Sequence, residues 1–356
     1  MQLLICAGGT GGGVYPALTV TEELDKNNNQ ILWVGSEGGM EAELVQRTGL
    51  KFKSIQAAGV HGVALTKLPS NLVKLFRGFQ QAKKILKEFQ PDVMLFTGGY
   101  VAIPMAYAGR KYKSLLFVPD IEPGLALKTL AKFSDHIALT TSESKKWFSE
   151  KNNMTVTGYP LREDIKKWTK AEAQAYFKLE PDLPTILFMG GSSGARSINQ
   201  ALIAILDNLL ENYQVIHLTG LLDWEAVQSA TNSATNRYHP FPYLHEIGAA
   251  LAAADLAVSR AGASTLGEYP FFGLPAILVP YPYAWRYQKV NADYLVDRDA
   301  AVLLRDEELK NSLLPLIDEL MAQPARLAHM SRAMSSLSQP DAAERIAELL
   351  YEMAEA

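Results

Sequence analysis

The sequence predicts an α/β protein made of two doubly wound, Rossmann-like domains facing a shared cleft. Three observations predict it. Short apolar runs alternate with amphipathic stretches along the chain, as in parallel sheets covered on both faces. The 356 residues suit two domains, each long enough for its own core. A glycine-rich turn follows an apolar run at two distant places. The first is Leu3-Leu4-Ile5-Cys6-Ala7 running into Gly8-Gly9-Thr10-Gly11-Gly12-Gly13; the second is Thr185-Ile186-Leu187-Phe188-Met189 running into Gly190-Gly191-Ser192-Ser193-Gly194-Ala195-Arg196.

In the first half the expected strands are Leu3–Ala7, Ile31–Val34, Phe52–Ile55, Val93–Phe96, Leu115–Val118, His136–Leu139 and Met154–Thr157. Helical patterns separate them: Ala17–Leu24, Met40–Arg47, Leu72–Phe89, Ile103–Arg110 and Leu125–Lys132. Gly158-Tyr159-Pro160 reads as a turn that closes this half. The second half offers strands Ile186–Met189, Gln214–Leu218, Tyr238–Phe241, Leu256–Ser259, Ala276–Val279 and Ala301–Leu304. Its helices include Ser197–Leu210, Ile247–Ala253 and Thr265–Phe271, and Asp341–Ala356 reads as one amphipathic tail helix. The expected division is 1–160, 161–340, and a 341–356 helix packing back near the interdomain region.

A strand, a glycine-rich turn and a helix N-terminus together make an anion site. Glycine lets the backbone approach a phosphate closely, and free N–H groups at the positive end of the helix dipole hold it. Ligands of such sheets lie beyond the carboxyl ends of the strands, so the cleft is the expected site. The first turn does not spell a dinucleotide fingerprint, because Val14 and Pro16 occupy the final positions, and no Lys-Ser or Lys-Thr pair follows the glycines as a Walker motif requires. A tight connection with no ligand is the competing reading of each turn.

The net charge of −4 gives no general pull toward nucleic acid. One cysteine, Cys6, excludes an intrachain disulfide and a cysteine metal cluster, and its apolar surroundings read as buried strand. The start lacks a basic segment and no stretch has the length of a membrane-spanning helix, so a cytoplasmic protein is expected. Asp297-Arg298-Asp299 superficially matches a metal-binding D-x-D, but in a polar stretch before a strand a turn is the better reading, and neither metal nor cofactor is expected.

The stretch Gly9-Thr10-Gly11-Gly12-Gly13-Val14-Tyr15-Pro16-Ala17-Leu18 resembles the N-terminal signature of the MurG family of peptidoglycan glycosyltransferases. Further matches follow in order: Gly98-Gly99-Tyr100, Gly158-Tyr159-Pro160-Leu161-Arg162, Gly190–Arg196 with Asn199, Arg260–Glu268, and Gln288 with Asn291-Ala292. The resemblance implies the two-domain glycosyltransferase B fold. It also implies transfer of N-acetylglucosamine, with inversion, from its UDP conjugate to a polyprenyl-diphosphate-linked muramyl-pentapeptide in peptidoglycan synthesis.

Carried over by position, the resemblance implies that the Leu244 backbone meets the uracil and Glu268 binds the ribose hydroxyls. Ser192 and neighbouring N–H groups contact the diphosphate, with Ala263, Ser264, Thr265, Leu266 and Gly267 nearby. Arg162 supplies positive charge to the leaving group, and Gln288 bonds sugar hydroxyls. An arginine with helix N-termini can replace a metal as electrophile. Thr10, Gly11 and Gly12 also join the donor set, while Gly13, Gly98, Gly99 and Tyr100 hold the acceptor's diphosphate. A capping Ser192, a solvated Arg162 and an exposed Glu268 are the bland alternatives.

The departures concern the base. Gly13 stands where the family has a His, and Phe117-Val118-Pro119-Asp120 with Ile121-Glu122-Pro123-Gly124 replaces a His-Glu-Gln-Asn run. Asp120 thus takes the place of a sugar-binding Asn, and Tyr283 that of another His. A carboxylate can serve as base if partial burial lifts its pKa, which nominates Asp120 and Glu122. The other reading has Asp120 only bonding sugar hydroxyls and Glu122 facing solvent. His61, in Gly59-Val60-His61-Gly62, is expected at the surface.

Leu65–Phe89 combines Leu65, Leu68, Leu72, Leu75, Phe76 and Phe79 with Lys67, Lys74, Arg77, Lys83, Lys84 and Lys87, opposed only by Glu88. Such a helix can lie on an anionic leaflet, and in the resembling family this region is a membrane patch. A peripheral place on the cytoplasmic face of the cell membrane is therefore expected; an ordinary helix facing the core is the alternative. Two other functions stay open: a UDP-sugar 2-epimerase of the same fold class, and a UDP-sugar-binding protein that has lost catalysis.

Overall fold

The computed structural model describes residues 1–8, 11–24, 29–39, 41–58, 68–191, 194–231 and 236–356, without the side chains at 68 and 284–286. Thr10, Ser192 and His61 lie outside the described residues. The chain divides into two compact units, Met1–Pro160 with Pro340–Ala356, and Leu161–Gln339.

In the first unit, seven strands form one parallel sheet. They are β1 (Gln2–Cys6), β2 (Gln30–Ser36), β3 (Lys51–Ile55), β4 (Val93–Phe96), β5 (Lys113–Val118), β6 (His136–Leu139) and β7 (Asn153–Val156). Their order is β3-β2-β1-β4-β5-β6-β7. β1 lies centrally, with Leu3–Cys6 opposite Ile31–Val34 on one side and Val93–Phe96 on the other. Leu3, Leu4, Ile5 and Cys6 are wholly buried, as a strand covered on both faces requires.

The second unit repeats the plan with β8 (Thr185–Met189), β9 (Gln214–Leu218), β10 (Tyr238–Phe241), β11 (Leu256–Ser259), β12 (Ala276–Leu278) and β13 (Ala301–Leu303). The order is β10-β9-β8-β11-β12-β13, again all parallel. Each sheet therefore reverses its winding beside its first strand, between β1 and β4 and between β8 and β11. Both glycine turns leave the sheet at that reversal, where neighbouring loops splay apart and leave room for a ligand.

Each unit has its own core. Leu4, Phe96, Leu116 and Ile137 pack with Met105 and Leu127 in the first. In the second, Ile186, Phe188 and Val258 meet Ile198, Leu202, Leu206 and Leu209. Those four lie on the helix Arg196–Asn212 at three- and four-residue spacing, the stripe a helix turns toward a sheet. The tail helix Ala342–Glu355 buries Ala343, Ile346, Ala347 and Leu350 and packs in the first unit against the helix Gly11–Leu24 and against β4 and β5. Tyr351 Oη accepts from Asn29 Nδ2 at 2.6 Å, pinning its end.

The first helix starts at Gly11 rather than Ala17 and carries Pro16 inside it. Glycines and a proline read as breakers, yet only the Gly12 carbonyl loses its helical donor to Pro16, and Gly12 is exposed to water. Helices beyond the expected set occur in the second unit, among them Trp285–Val296, Leu309–Met321 and Pro324–Ser335. Asp297–Asp299 lies in a turn, with Asp299 at φ 56°. Among the described residues no three His, Cys, Asp or Glu converge as a metal site would need.

Candidate active site

The second glycine turn is packed so tightly at Gly190 and Gly194 that a side chain is barred from either position. A Cβ on Gly190 would lie 2.2 Å from the Ala195 nitrogen, and one on Gly194 would lie 2.2 Å from the Thr219 carbonyl oxygen. Gly194 also has φ +78°, a left-handed conformation that favours glycine. The helix Arg196–Asn212 starts directly after the turn, and Ala195 before it offers no side-chain cap. Its first amides are thus available to an anion.

An open cavity of about 640 Å³ lies against this turn, lined among others by Gly190, Gly194, Arg196, Ser197, Arg260 and Gln288. Gln288 is already oriented: its Oε1 accepts from the Tyr281 amide at 2.8 Å, which leaves the Nε2 hydrogens as the end to offer a ligand. Tyr283, in place of the expected His, is 91% exposed, with its ring 5.4 Å from that of Tyr281.

After β11 the chain runs through Arg260–Ser264 into the helix Thr265–Phe272. Thr265 Oγ1 donates to the Gly262 carbonyl at 2.6 Å, and Asn291 Nδ2 donates to that of Ala261 at 3.2 Å, so this loop is tied at both ends. Glu268 lies one turn into the helix. Burial pushes its carboxyl above the ordinary carboxylate range, against the pull of a Ser264 hydrogen bond and the Arg162 charge. Ser264 thus hydrogen-bonds Glu268, the Arg162 charge reaches it, and Glu268 is half-buried rather than exposed. Arg162 is also not merely solvated, since its Nε lies 3.4 Å from Asp164 Oδ1. Leu244 is buried in the loop after β10.

Arg260 was legible only as part of a matched stretch; its role is a buttress. Its guanidinium holds Asp306 at 2.5 Å, Ser197 Oγ at 2.8 Å and the Val279 carbonyl at 3.0 Å, beneath the Tyr281 ring. One residue thereby joins the glycine-turn helix to the loop that orients Gln288. Its partners are distant in sequence, so no local spacing announces them.

In the first unit the two sequence-matched turns lie against each other. Thr97 Oγ1 donates to the Gly13 carbonyl at 2.6 Å, and a Cβ on Gly99 would lie 2.5 Å from the Gly8 oxygen. Gly98 and Gly99 have φ +130° and +84°, and Tyr100 beyond them is 47% exposed. At Gly13, by contrast, a Cβ would meet nothing nearer than the Thr97 oxygen at 3.4 Å.

For Glu122 the structure excludes the solvent-facing alternative: the residue is 2% exposed and its Oε1 lies 3.5 Å from Lys128 Nζ, which sits over the Trp147 ring. Asp120, half-buried, follows β5 at its carboxyl end. Glu41, which sequence reasoning passed over, is fully buried behind the first turn, with Oε1 accepting from the Ser36 amide and hydroxyl at 2.7 and 2.6 Å. A Cβ on Gly8 would stand 2.6 Å from that oxygen. Burial and the Glu41 charge push the Cys6 thiol far up, so it is no nucleophile.

The glycosyltransferase family 28 N-terminal domain profile matches residues 3–139, and that of the family 28 C-terminal domain matches residues 185–346. The chain belongs to glycosyltransferase family 28. A UDP-N-acetylglucosamine--N-acetylmuramyl-(pentapeptide) pyrophosphoryl-undecaprenol N-acetylglucosamine transferase from Halalkalibacterium halodurans is 37% identical, covering 99% of this chain and 100% of its own. The protein of the same name from Bacillus subtilis is 34% identical, covering 99% of each chain. In fold, the family 28 chain resembles Acinetobacter baumannii MurG with a TM-score of 0.80 at 24% identity and 99% coverage of both. UDP-GlcNAc 2-epimerase from Neisseria meningitidis has a TM-score of 0.71 at 14% identity, covering 99% and 100%, a likeness of fold alone.

Proposed function

We propose that this chain transfers N-acetylglucosamine from UDP-N-acetylglucosamine to a polyprenyl-diphosphate-linked muramyl-pentapeptide, with inversion at the anomeric carbon. The observation that carries this reading is full-length identity above a third to transferases of that name. The geometry of the second unit supports it. The packed turn at Gly190–Arg196 and its helix amides hold the diphosphate. Glu268 accepts from the ribose hydroxyls, the Leu244 backbone meets the uracil, and Ser264 and Thr265 line the loop between. Gln288 donates through Nε2 to a sugar oxygen, because Tyr281 holds its Oε1. Arg162, whose charge already acts on Glu268, offsets the charge growing on the departing diphosphate.

The first unit takes the acceptor, with Gly13, Gly98, Gly99 and Tyr100 near its diphosphate. Asp120 is the base in this reading: it accepts the proton of the acceptor hydroxyl as that oxygen attacks the anomeric carbon. Glu122 supports it from inside the unit on Lys128. The helix Leu68–Phe89 exposes Leu72, Val73 and Phe76 by 54, 50 and 63% beside Lys74 and Arg77. This pairing of apolar and basic groups fits the anionic cytoplasmic face of a membrane, where a lipid-linked acceptor resides.

The test is turnover of UDP-N-acetylglucosamine with a soluble lipid-linked muramyl-pentapeptide analogue. Product whose formation fails in Asp120→Asn supports the reading. Absence of product in the presence of membrane-mimetic detergent refutes it. Conversion of the donor without acceptor would instead support a 2-epimerase, and UDP binding with zero transfer a binding protein.

A further inference from the structure

Behind the second glycine turn runs a connected chain of buried polar side chains that the donor reading leaves unused. Tyr238, on β10, is 7% exposed and its hydroxyl lies 2.8 Å from His217 Nδ1. His217, on β9, is wholly buried and its Nε2 lies 3.0 Å from Asn199 Oδ1. Asn199, on the helix Arg196–Asn212, donates through Nδ2 to the Thr219 carbonyl at 2.9 Å and to Asp223 Oδ2 at 3.0 Å. Both branches at Asn199 reach the turn. The Thr219 oxygen is the atom that Gly194 packs on, and Asp223 Oδ1 accepts from Arg196 Nε at 3.0 Å.

Proton counting assigns the imidazole tautomer. Both Nδ2 hydrogens of Asn199 are used on a carbonyl and a carboxylate, so its Oδ1 must accept. His217 therefore carries its proton on Nε2, and Nδ1 accepts from the Tyr238 hydroxyl. Burial pushes His217 down to about 3 and Tyr238 up to about 12, so one proton stays on each throughout the neutral range. An apolar side chain would fill the same volume but leave the Asn199 oxygen buried without its His217 partner, while the Tyr238 hydroxyl would keep only its hydrogen bond with Thr231.

We propose that His217, protonated on Nε2 and seated by Tyr238, is a positioning residue for the second glycine turn. It fixes Asn199, which draws the Thr219 carbonyl to where only a glycine at 194 can pack on it, and which holds Asp223 against Arg196. This deepens the donor reading and rests on it for the identity of the ligand. The tautomer and the order of the turn are properties of the ligand-free protein.

The test compares two variants of similar polarity. A Gln amide reaches about as far as Nε2, whereas an Asn amide stops near Nδ1. His217→Gln is expected to bind UDP within about threefold of wild type, and His217→Asn about tenfold more weakly or worse, the cost of one orphaned buried acceptor. The Gly194 amide, which donates to the Gly191 carbonyl, should exchange with solvent faster in His217→Asn by a similar factor, with the KM for the soluble acceptor analogue unchanged. Nitrogen NMR of the ligand-free wild type should show the Nε2-protonated ring. Tyr238→Phe, which keeps the ring's volume, should weaken UDP binding by a smaller factor. A ring protonated on Nδ1, equal UDP affinity in the Gln and Asn variants, or losses that follow melting temperature irrespective of side chain would overturn the proposal. Failure of the donor reading looks different: wild type ignores UDP while the tautomer and the exchange contrast remain.

Discussion

Replacing Gly194 by alanine puts the packing of the second glycine turn to a direct test. The new Cβ would stand 2.2 Å from the Thr219 oxygen, where ordinary contact begins at 3.4 Å. The turn and the carbonyl must part by about 1 Å, and a displacement of that size at a positioning group can cost about 100-fold. The φ of +78° adds about 1–2 kcal/mol of conformational strain for a residue with a Cβ. Gly191→Ala is the internal control, because Gly191 has φ +82° but nothing within 4 Å of its added carbon. Calorimetry with UDP should therefore show affinity falling about 100-fold in Gly194→Ala and no more than about tenfold in Gly191→Ala, with Gly191→Ala losing about 1–2 kcal/mol in urea unfolding and Gly194→Ala losing more because of the clash. If Gly194→Ala binds UDP within about threefold of wild type, or the two variants fall equally, the packed turn does not hold the donor.

Glu268 gives a pH signature. Its folded carboxyl is raised, chiefly by burial, so the folded state binds that proton more tightly than the unfolded state. Donor-free stability should then fall as pH rises from the ordinary carboxylate range through the raised value, while UDP affinity rises; melting curves of Glu268→Gln should lack that segment. Phe76→Glu, at a side chain 63% exposed, should reduce sedimentation with anionic vesicles by about tenfold and leave turnover of a soluble acceptor unchanged. Arg260→Met leaves Asp306 uncompensated in a nearly buried pair and should cost about 3 kcal/mol in denaturant unfolding; a loss under about 0.5 kcal/mol would contradict the buttress.

Much of the architecture was legible because strands covered on both faces read as unbroken apolar runs. Leu3–Ala7 and Ile186–Met189 stand within a residue or two of β1 and β8 for that reason. The start of the first helix was not legible: Gly11–Gly13 and Pro16 are local breakers, and their helical state depends on contacts such as Thr97 on the Gly13 carbonyl. The glycine turns were legible as motifs, but not why they are glycine, since Gly194 answers to Thr219 and Gly99 to Gly8. Glu122 stayed open between a partly buried base and a solvent-facing residue, because nothing in the local sequence announces that its carboxylate turns inward toward Lys128. Arg260 with Asp306, and His217 with Asn199, are pairs between separate elements, and such partners emerge only when the sheet brings its loops together.

The tail helix belongs to the first unit, although the whole second unit separates it from residue 160. A gene fragment ending at residue 160 would lack Ala343, Ile346 and Leu350, the cover for its opening helix, while the complementary fragment would carry that greasy stripe with nothing to lay it on. Exchanging the second unit between such proteins is thus an insertion rather than a fusion. Foreign sequence has to be spliced between two native segments, and whoever borrows the head must borrow the tail.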